Sequence, residues 1–385
     1  MLNPIQSSKS IKEEFISYIM TQYHIADNIY ADRLRNQLEK DGNIAKGPYL
    51  DITDSFQTGK NIMKLIQEGE MSELFSELEQ DIPEKDKEIK LERSLYLHQE
   101  KSIRKINQEH NLIVTTGTGS GKTECFILPI LNHLLREKEQ GMLNIGVRAI
   151  LIYPMNALAN DQMKRLRDIL KNYPEITFGV YNGSTKKTDA EAREEYGKIF
   201  KDEHGQALKP LPNEILSRAS MQKNPPHILV TNYAMLEYMM LRPNDDKVFS
   251  GAKLRFLVLD EAHSYSGTKG MEISLLLRRL KARISDPKEV LHILTSATLG
   301  GKESDQEIVS FAETLCDVKF QMDDIIRSKT VMPALAETLQ DFPLTLFGEL
   351  AVAESSLNEI LDRYHVSYNE QADESEILFD LCTSA

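Results

Sequence analysis

Cysteine is scarce in this chain, and the three present, Cys125, Cys316 and Cys382, lie far apart. They offer neither metal-ligand spacing nor a disulfide framework, which fits a reducing, cytoplasmic setting. No apolar run approaches the roughly 20 residues that a membrane-spanning helix needs, so no membrane association is expected. The opening residues, Met1 to Gln6, show no basic region followed by an apolar one, so no secretory signal is evident. No repeat period is present either. Positive charge is in deficit, with a formal net charge of −13. That argues against a general electrostatic grip on nucleic acid, which needs clustered Lys and Arg, and leaves only local patches. Lys164, Arg165, Arg167 and Lys171 form one such cluster and Arg278, Arg279, Lys281 and Arg283 another, each on a predicted helix. Taken alone, each reads as a solvated helix face.

What is present is an ordinary globular composition in 385 residues, long enough for two or three domains and a large core. Amphipathic stretches near Ile11–Met20, Asp27–Glu39 and Ile62–Glu79 predict helices in the N-terminal part. Asp41-Gly42 and Gly47-Pro48 mark turns, and the charged segment 81–88 reads as an exposed connection. From Leu95 the pattern becomes alternating strands and helices. Short continuous apolar runs at Leu112–Val114, Ala149–Tyr153, Thr177–Tyr181, Ile228–Val230, Leu254–Leu259 and Leu291–Leu294 predict buried parallel strands. Helical patterns over Ala157–Lys171 and Met271–Arg283 lie between some of them. The fold class is therefore α/β, a doubly wound, mainly parallel sheet. The polar stretch 183–225 reads as an inserted surface element with a helix near Ala190–Phe200. Helix-like pieces follow at Gln306–Leu315, Leu335–Leu339 and Leu350–Leu361. The expected organisation is a helical accessory region at 1–92, a nucleotide-binding lobe at 93–318 and a helical extension at 319–385.

Three strings carry the chemistry. Thr115-Thr116-Gly117-Thr118-Gly119-Ser120-Gly121-Lys122-Thr123 stands between an apolar run and a helical stretch beginning at Glu124. Strand, glycine-rich loop and helix make the phosphate-cradling P-loop context, in which glycines turn backbone N–H groups inward and the helix start adds its positive pole. Lys122 is placed to reach the β- and γ-phosphates of ATP, and the Thr123 hydroxyl to ligate Mg²⁺. The strict pattern has glycine where Thr116 stands. The second string, Leu257-Val258-Leu259-Asp260-Glu261-Ala262-His263, ends an apolar strand in adjacent carboxylates. At the sheet edge that faces the nucleotide, Asp260 is placed to hold Mg²⁺ and Glu261 to orient and polarise the attacking water. The third, Leu294-Thr295-Ser296-Ala297-Thr298, again closes a strand, and its hydroxyls at Ser296 and Thr298 are placed to couple the carboxylate segment to another functional surface.

In this order and spacing the strings resemble the superfamily 2 helicases, specifically a first RecA-like lobe with a DEAH-type box that includes His263. Threonine at the Thr116 place is a feature of that family's loop. The resemblance runs from about Leu95 to Leu299. It implies that Gln99, in Leu95-Tyr96-Leu97-His98-Gln99, reads the adenine edge with Tyr96 packing nearby. It implies nucleic-acid backbone contacts from Pro154, Asn156 and Gln162, and from Thr231 and Asn232, with the cationic helix carrying Lys164, Arg165 and Arg167 alongside; such contacts are sequence-independent. The strings Pro225–Leu236 and Asp260–Gly267, running into Leu275–Leu280, resemble more closely the large RecQ-related bacterial DEAH-box helicases of DNA repair and phage-defence loci. Those relatives imply DNA rather than RNA and 3′-to-5′ translocation.

A helicase of this class needs a second RecA-like lobe with an arginine-rich Gln-x-x-Gly-Arg-x-Gly-Arg motif. No such string occurs here, and the residues after Thr298 are too few for that lobe. A partner chain or a missing C-terminal region is expected to supply it. An arginine finger contributes about 10³–10⁵ in turnover, so this chain alone is expected to bind ATP and hydrolyse it feebly. The main reading is the N-terminal part of an ATP-dependent DNA helicase or translocase. The alternative is a helicase-like binding subunit of a larger, phage-defence complex. An unrelated P-loop transport motor is discounted by the glutamine motif and by the absence of a Leu-Ser-Gly-Gly-Gln signature.

Overall fold

A computed structural model describes residues 4–23, 25–40, 42–45, 55–79, 89–117, 119–199, 209–249, 252–284, 286–297, 304–331, 346, 357–366 and 377. Thr118, Thr298, the connection at 81–88 and the helix-like piece at 335–339 lie outside these residues, as does the first part of the piece expected at 350–361. The chain divides into two compact units, one of residues 56–330 and one of residues 1–55 with 331–385.

The chain opens with helices α1 (Pro4–Gln22) and α2 (Asn28–Glu39). Asp27 starts α2 by accepting the N–H groups of Ile29 at 2.8 Å and Tyr30 at 3.2 Å, which satisfies donors that a helix start leaves open.

The larger unit begins with β1 (Thr58–Asn61), α3 (Ile62–Gln67), β2 (Ser94–Tyr96) and α4 (Leu97–Asn107). A regular alternation follows: β3 (Leu112–Thr115), α5 (Glu124–Glu139), β4 (Ala149–Tyr153), α6 (Asn156–Leu170), β5 (Phe178–Tyr181), α7 (Asp189–Ile199), α8 (Arg218–Lys223), β6 (Ile228–Asn232) and α9 (Tyr233–Leu241). It closes with β7 (Phe256–Leu259), α10 (Gly267–Lys281), β8 (Leu291–Ser296), α11 (Asp305–Cys316) and β9 (Ile325–Arg327). The strands form a seven-stranded sheet in the order β5-β6-β4-β7-β8-β3-β9, with every pairing parallel. The central strands are buried on both faces, as their unbroken apolar sequences require. One face is covered by α4, α5 and α6 through residues such as Ile103, Phe126, Leu131 and Leu166. The other is covered by α9, α10 and α11 through Leu236, Leu276, Leu277 and Leu315. Each such side chain contributes about 1.5–3 kcal/mol on full burial.

The doubly wound fold is thus the one expected, and its margins differ from expectation. Ile62, Leu65, Met71, Phe75 and Leu91 pack into the core of the α4–α6 face, so the compact unit starts well before residue 93. The helix expected over 62–79 is interrupted: α3 stops at Gln67, Gly69 takes a φ of +75°, and a 3-10 turn follows over Glu73–Glu79. At the far end β9 pairs with β3 as the sheet's outer strand, which carries the unit past residue 318.

Among its described residues the stretch 183–225 carries α7 and α8. Its tail lies along the free edge of β5: Phe178 N–H donates to Asn213 O at 3.1 Å, and Ile215 N–H donates to Phe178 O at 2.9 Å. The amide of Asn213 donates to the carbonyls of Leu170, Tyr173 and Ile176. Among the described residues the smaller unit also carries helix α12 (Leu357–Arg363), where Ile360 and Leu361 cluster with Leu346, Val366 and Ile377.

Candidate nucleotide and nucleic-acid site

Parallel register gathers the three sequence strings at one edge of the sheet. β3 pairs with β8 so that Thr115 lies opposite Ser296, and Thr116 N–H donates to Ser296 O at 3.2 Å. β7 pairs with β8 so that Leu259 lies opposite Leu294, which brings Asp260 beside Thr295. The glycine-rich loop, the carboxylate pair and the hydroxyl string therefore share the C-terminal edge of β3, β7 and β8, where open α/β sheets bind ligands.

The loop is held from outside as well as within. Gly119 and Gly121 take φ values of +76° and +69°, which a side chain would strain. A Cβ at Gly121 would also lie 2.4 Å from Gln99 Nε2. The Ser120 hydroxyl bonds the Gly117 carbonyl at 2.8 Å and the Thr116 hydroxyl at 2.7 Å. Gln99 accepts Tyr96 N–H at 2.9 Å and donates to Gly121 O at 3.1 Å, so both ends of its amide are engaged in bracing the loop. His98 Nε2 lies 2.8 Å from Ser120 O, and its ring stacks on Tyr96 at 5.5 Å with Phe56 edge-on to both. Burial lowers the His98 pKa and keeps the ring neutral, which leaves Nε2–H as donor to the loop carbonyl. His98 thus adds a bracing contact beyond those expected of the string; its sequence signal is a histidine one residue before Gln99, and its burial comes from the fold.

Lys122 Nζ lies 3.4 Å from Glu261 Oε1, joining the loop to the carboxylate pair. Glu261 has a left-handed backbone with φ 49°, and its Oε2 is buried without a hydrogen-bond partner, 3.3 Å from His263 Nδ1. His263 Nδ1 is 3.0 Å from Ser296 Oγ. Asp260 is partly buried; desolvation raises its pKa, while the Thr295 hydroxyl, which donates to Oδ1, and Lys122 pull the other way. The hydroxyl of this string that meets Asp260 is that of Thr295, a residue the string contains without marking it out. Among the described residues no group of three or more His, Cys, Asp or Glu side chains could hold a metal ion by itself.

The residues expected to meet nucleic acid are sorted differently by the structure. Asn156 and Asn232, at the starts of α6 and α9, come together, with Asn232 Nδ2 donating to Asn156 Oδ1 at 2.7 Å; Pro154 lies just before Asn156 on the same turn. Thr231 is fully buried and its hydroxyl donates to Tyr181 O at 2.7 Å, so its side chain is not available at the surface. Gln162 turns toward the nucleotide loop, with Nε2 3.5 Å from Thr123 Oγ1. Arg165 pairs with Glu124 at 2.6 Å, and Arg167 makes a two-pronged pair with Glu214 at 2.6 and 3.1 Å. The two arginines of the expected cationic cluster on α6 are therefore neutralised, and its exposed remainder is Lys164, 3.8 Å from Asp161, together with Lys171.

Comparison with known proteins gives the family. Residues 96–306, more than half of the chain, match the family described as DEAD/DEAH box helicase. The chain is 30% identical to the Druantia protein DruE of Escherichia coli (strain UMEA 4076-1), over 88% of this chain and 23% of that protein. It is 31% identical to the ATP-dependent helicase Lhr-Core of Methanothermobacter thermautotrophicus, over 48% of this chain and 19% of that protein. It thus spans less than a quarter of the length of these curated relatives. The solved structure of the DEAD-box helicase Mss116 bound to ssRNA and UDP-BeF is similar with a TM-score of 0.51 at 19% identity, covering 82% of this chain and 55% of that one.

Proposed function

The chain belongs to the DEAD/DEAH box helicases, and from that premise we propose that residues 56–330 are the ATP-binding lobe of an ATP-dependent DNA helicase or translocase. The observation that carries the reading is the convergence of Lys122, Asp260 and Glu261 on one sheet edge, with Lys122 3.4 Å from Glu261. A half-buried lysine paired to a carboxylate whose second oxygen is buried without a hydrogen bond suits a triphosphate and its cation.

ATP phosphates entering the loop compete with Glu261 for Lys122, which moves onto the β- and γ-phosphates. Glu261, released, accepts a hydrogen bond from the attacking water and aligns it with the γ-phosphate. Thr123 and Asp260 would hold Mg²⁺, which supplies positive charge against the phosphate oxygens; a desolvated carboxylate beside the phosphates fits a cation that arrives with its nucleotide. The Thr295 hydroxyl fixes Asp260, and the His263–Ser296 contact ties the carboxylate turn to the end of β8. Gln99 and His98 brace the loop beneath the adenine side. The Asn156–Asn232 pair receives the nucleic-acid backbone. A second RecA-like lobe, from further sequence or a partner chain, supplies the arginine that full turnover needs.

The test is nucleotide titration of Lys122→Ala, with circular dichroism to follow folding. Loss of ATP binding in a folded variant is expected. Wild-type affinity would sink the assignment.

A further inference from the structure

The arginines of the chain's two expected basic clusters are spent on internal partners. On α10 and just beyond it, Arg278 faces Asp317, Arg279 faces Glu237, Arg283 faces Asp246, and Lys281 donates to the Cys316 carbonyl. In a chain of formal net charge −13, a half-buried cation without a carboxylate is therefore informative. Lys269 is such a cation. It sits in the first turn of α10, and among the described residues no carboxylate pairs with it. Its Nζ lies 4.7 Å from the centre of the Tyr233 ring and 5.2 Å from that of Tyr265. The two rings stand 6.4 Å apart at 69°.

This arrangement holds a charge without cancelling it. Aromatic faces attract an ammonium through their quadrupole and leave its three donors free to bond elsewhere. The helix start is an adverse place for a cation, because the dipole's positive end lies there, and Ser266 makes no side-chain cap bond to soften it. The position is also fixed. Gly270 carries no side chain where a Cβ would lie 2.5 Å from the Tyr265 carbonyl, so α10 begins pressed against the Tyr265 turn. Tyr233 opens α9 immediately after Asn232, whose amide reaches Asn156. One of the two rings that hold the ammonium thus belongs to the residue directly after Asn232.

We infer that Lys269 is a phosphate-binding residue that contacts the nucleic-acid backbone next to Asn156 and Asn232, its ammonium presented by the rings of Tyr233 and Tyr265. The inference rests on the nucleic-acid reading given above. Lysine suits the task, being a compact point charge on a stem that the rings can pack without pairing.

The experiment uses the full chain with a fluorescein-labelled single-stranded oligonucleotide, anisotropy being read across a salt series for wild type, Lys269→Met and Lys269→Arg. ATP titration and thermal melting serve as controls. One lost phosphate contact lowers the slope of log K against log salt by about 0.7. Lys269→Met is expected to show that reduction and a several-fold weaker affinity at low salt, with ATP affinity unchanged; Lys269→Arg is expected to restore the slope. A wild-type slope in Lys269→Met overturns the inference. So does a reduced slope that Arg fails to restore, because it marks loss of packing rather than of a phosphate contact. Weakened ATP binding in Lys269→Met would assign the ammonium to the nucleotide's phosphates and also overturn it. No strand binding by wild type at the lowest salt, with ATP binding intact, would remove the nucleic-acid reading itself and this inference with it.

Discussion

Asp260 and Glu261 are neighbours with separate surroundings, and that separation is what two roles require. Asp260 accepts the Thr295 hydroxyl, whereas Glu261 leans toward Lys122. Glu261→Gln keeps the shape and loses the charge. Its ATP affinity should be retained or increased, since Lys122 loses a competitor, while hydrolysis with the second lobe present should fall about 10²–10⁴-fold. Measured kcat near wild type would assign the water to another residue. A second residue-scale prediction concerns His292 in β8. It is fully buried, both ring nitrogens lack hydrogen-bond partners, and burial pushes its pKa from 6.5 down to about 3. Above the unfolded value of 6.5 the ring is neutral in both states and adds no pH dependence. Between 6.5 and about 3 the unfolded chain takes a proton that the folded chain refuses, so stability falls as the solution is acidified. His98 and His227 are shifted in the same direction by burial. His292→Leu should therefore flatten, without abolishing, the loss of urea resistance between about pH 7 and about pH 5. An unchanged pH dependence would count against the buried neutral ring.

Helix α6 carries different neighbours on different sides. Gln162 and Arg165, three residues apart, turn toward the nucleotide loop and α5; Arg167 turns toward the insertion, where it meets Glu214 and lies 5.1 Å over the Tyr196 ring. Tyr196 also donates to Glu214 at 2.9 Å. Glu214→Ala strands a largely buried guanidinium, and the expected cost is about 3–5 kcal/mol in chemical denaturation. A change well below that range would mean solvent reaches Arg167 once its partner is gone. The same helix explains what sequence could and could not disclose. The strands β3, β4, β6, β7 and β8 were legible because a buried parallel strand is a continuous apolar run. The helix itself was legible from its period. The neutrality of its arginines was not, because Glu124 and Glu214 lie 41 and 47 residues away in sequence. β1 contains Gly59 and Lys60, and β9 is three residues long; neither carries a run that local pattern could detect. At the candidate site, the loop and the carboxylates were visible as strings. Thr295 and His98 needed the sheet register and the burial of α4 to acquire their partners.

At the scale of the molecule, an acidic chain holds a cleft where lysine, carboxylates and hydroxyls face one another, on a sheet that is one strand wider on the β3 side than its sequence suggested. On the opposite margin β5 is the outermost strand, and its free edge is taken by the segment around Asn213 and Ile215. Gly179 in β5 permits that approach, since a Cβ there would lie 2.6 Å from the Ile215 carbonyl. An uncovered outer strand is a template on which a second molecule adds its own, and from that nucleus aggregates grow. The segment around Asn213 and Ile215 therefore covers backbone groups of β5 that an open edge would offer to a second molecule. Ile215→Pro deletes the N–H that bonds Phe178 O and should loosen this cover. Light scattering on warming should then rise earlier than for wild type at equal concentration, and more steeply as concentration increases; a concentration-independent onset would mean the edge stays guarded without that bond.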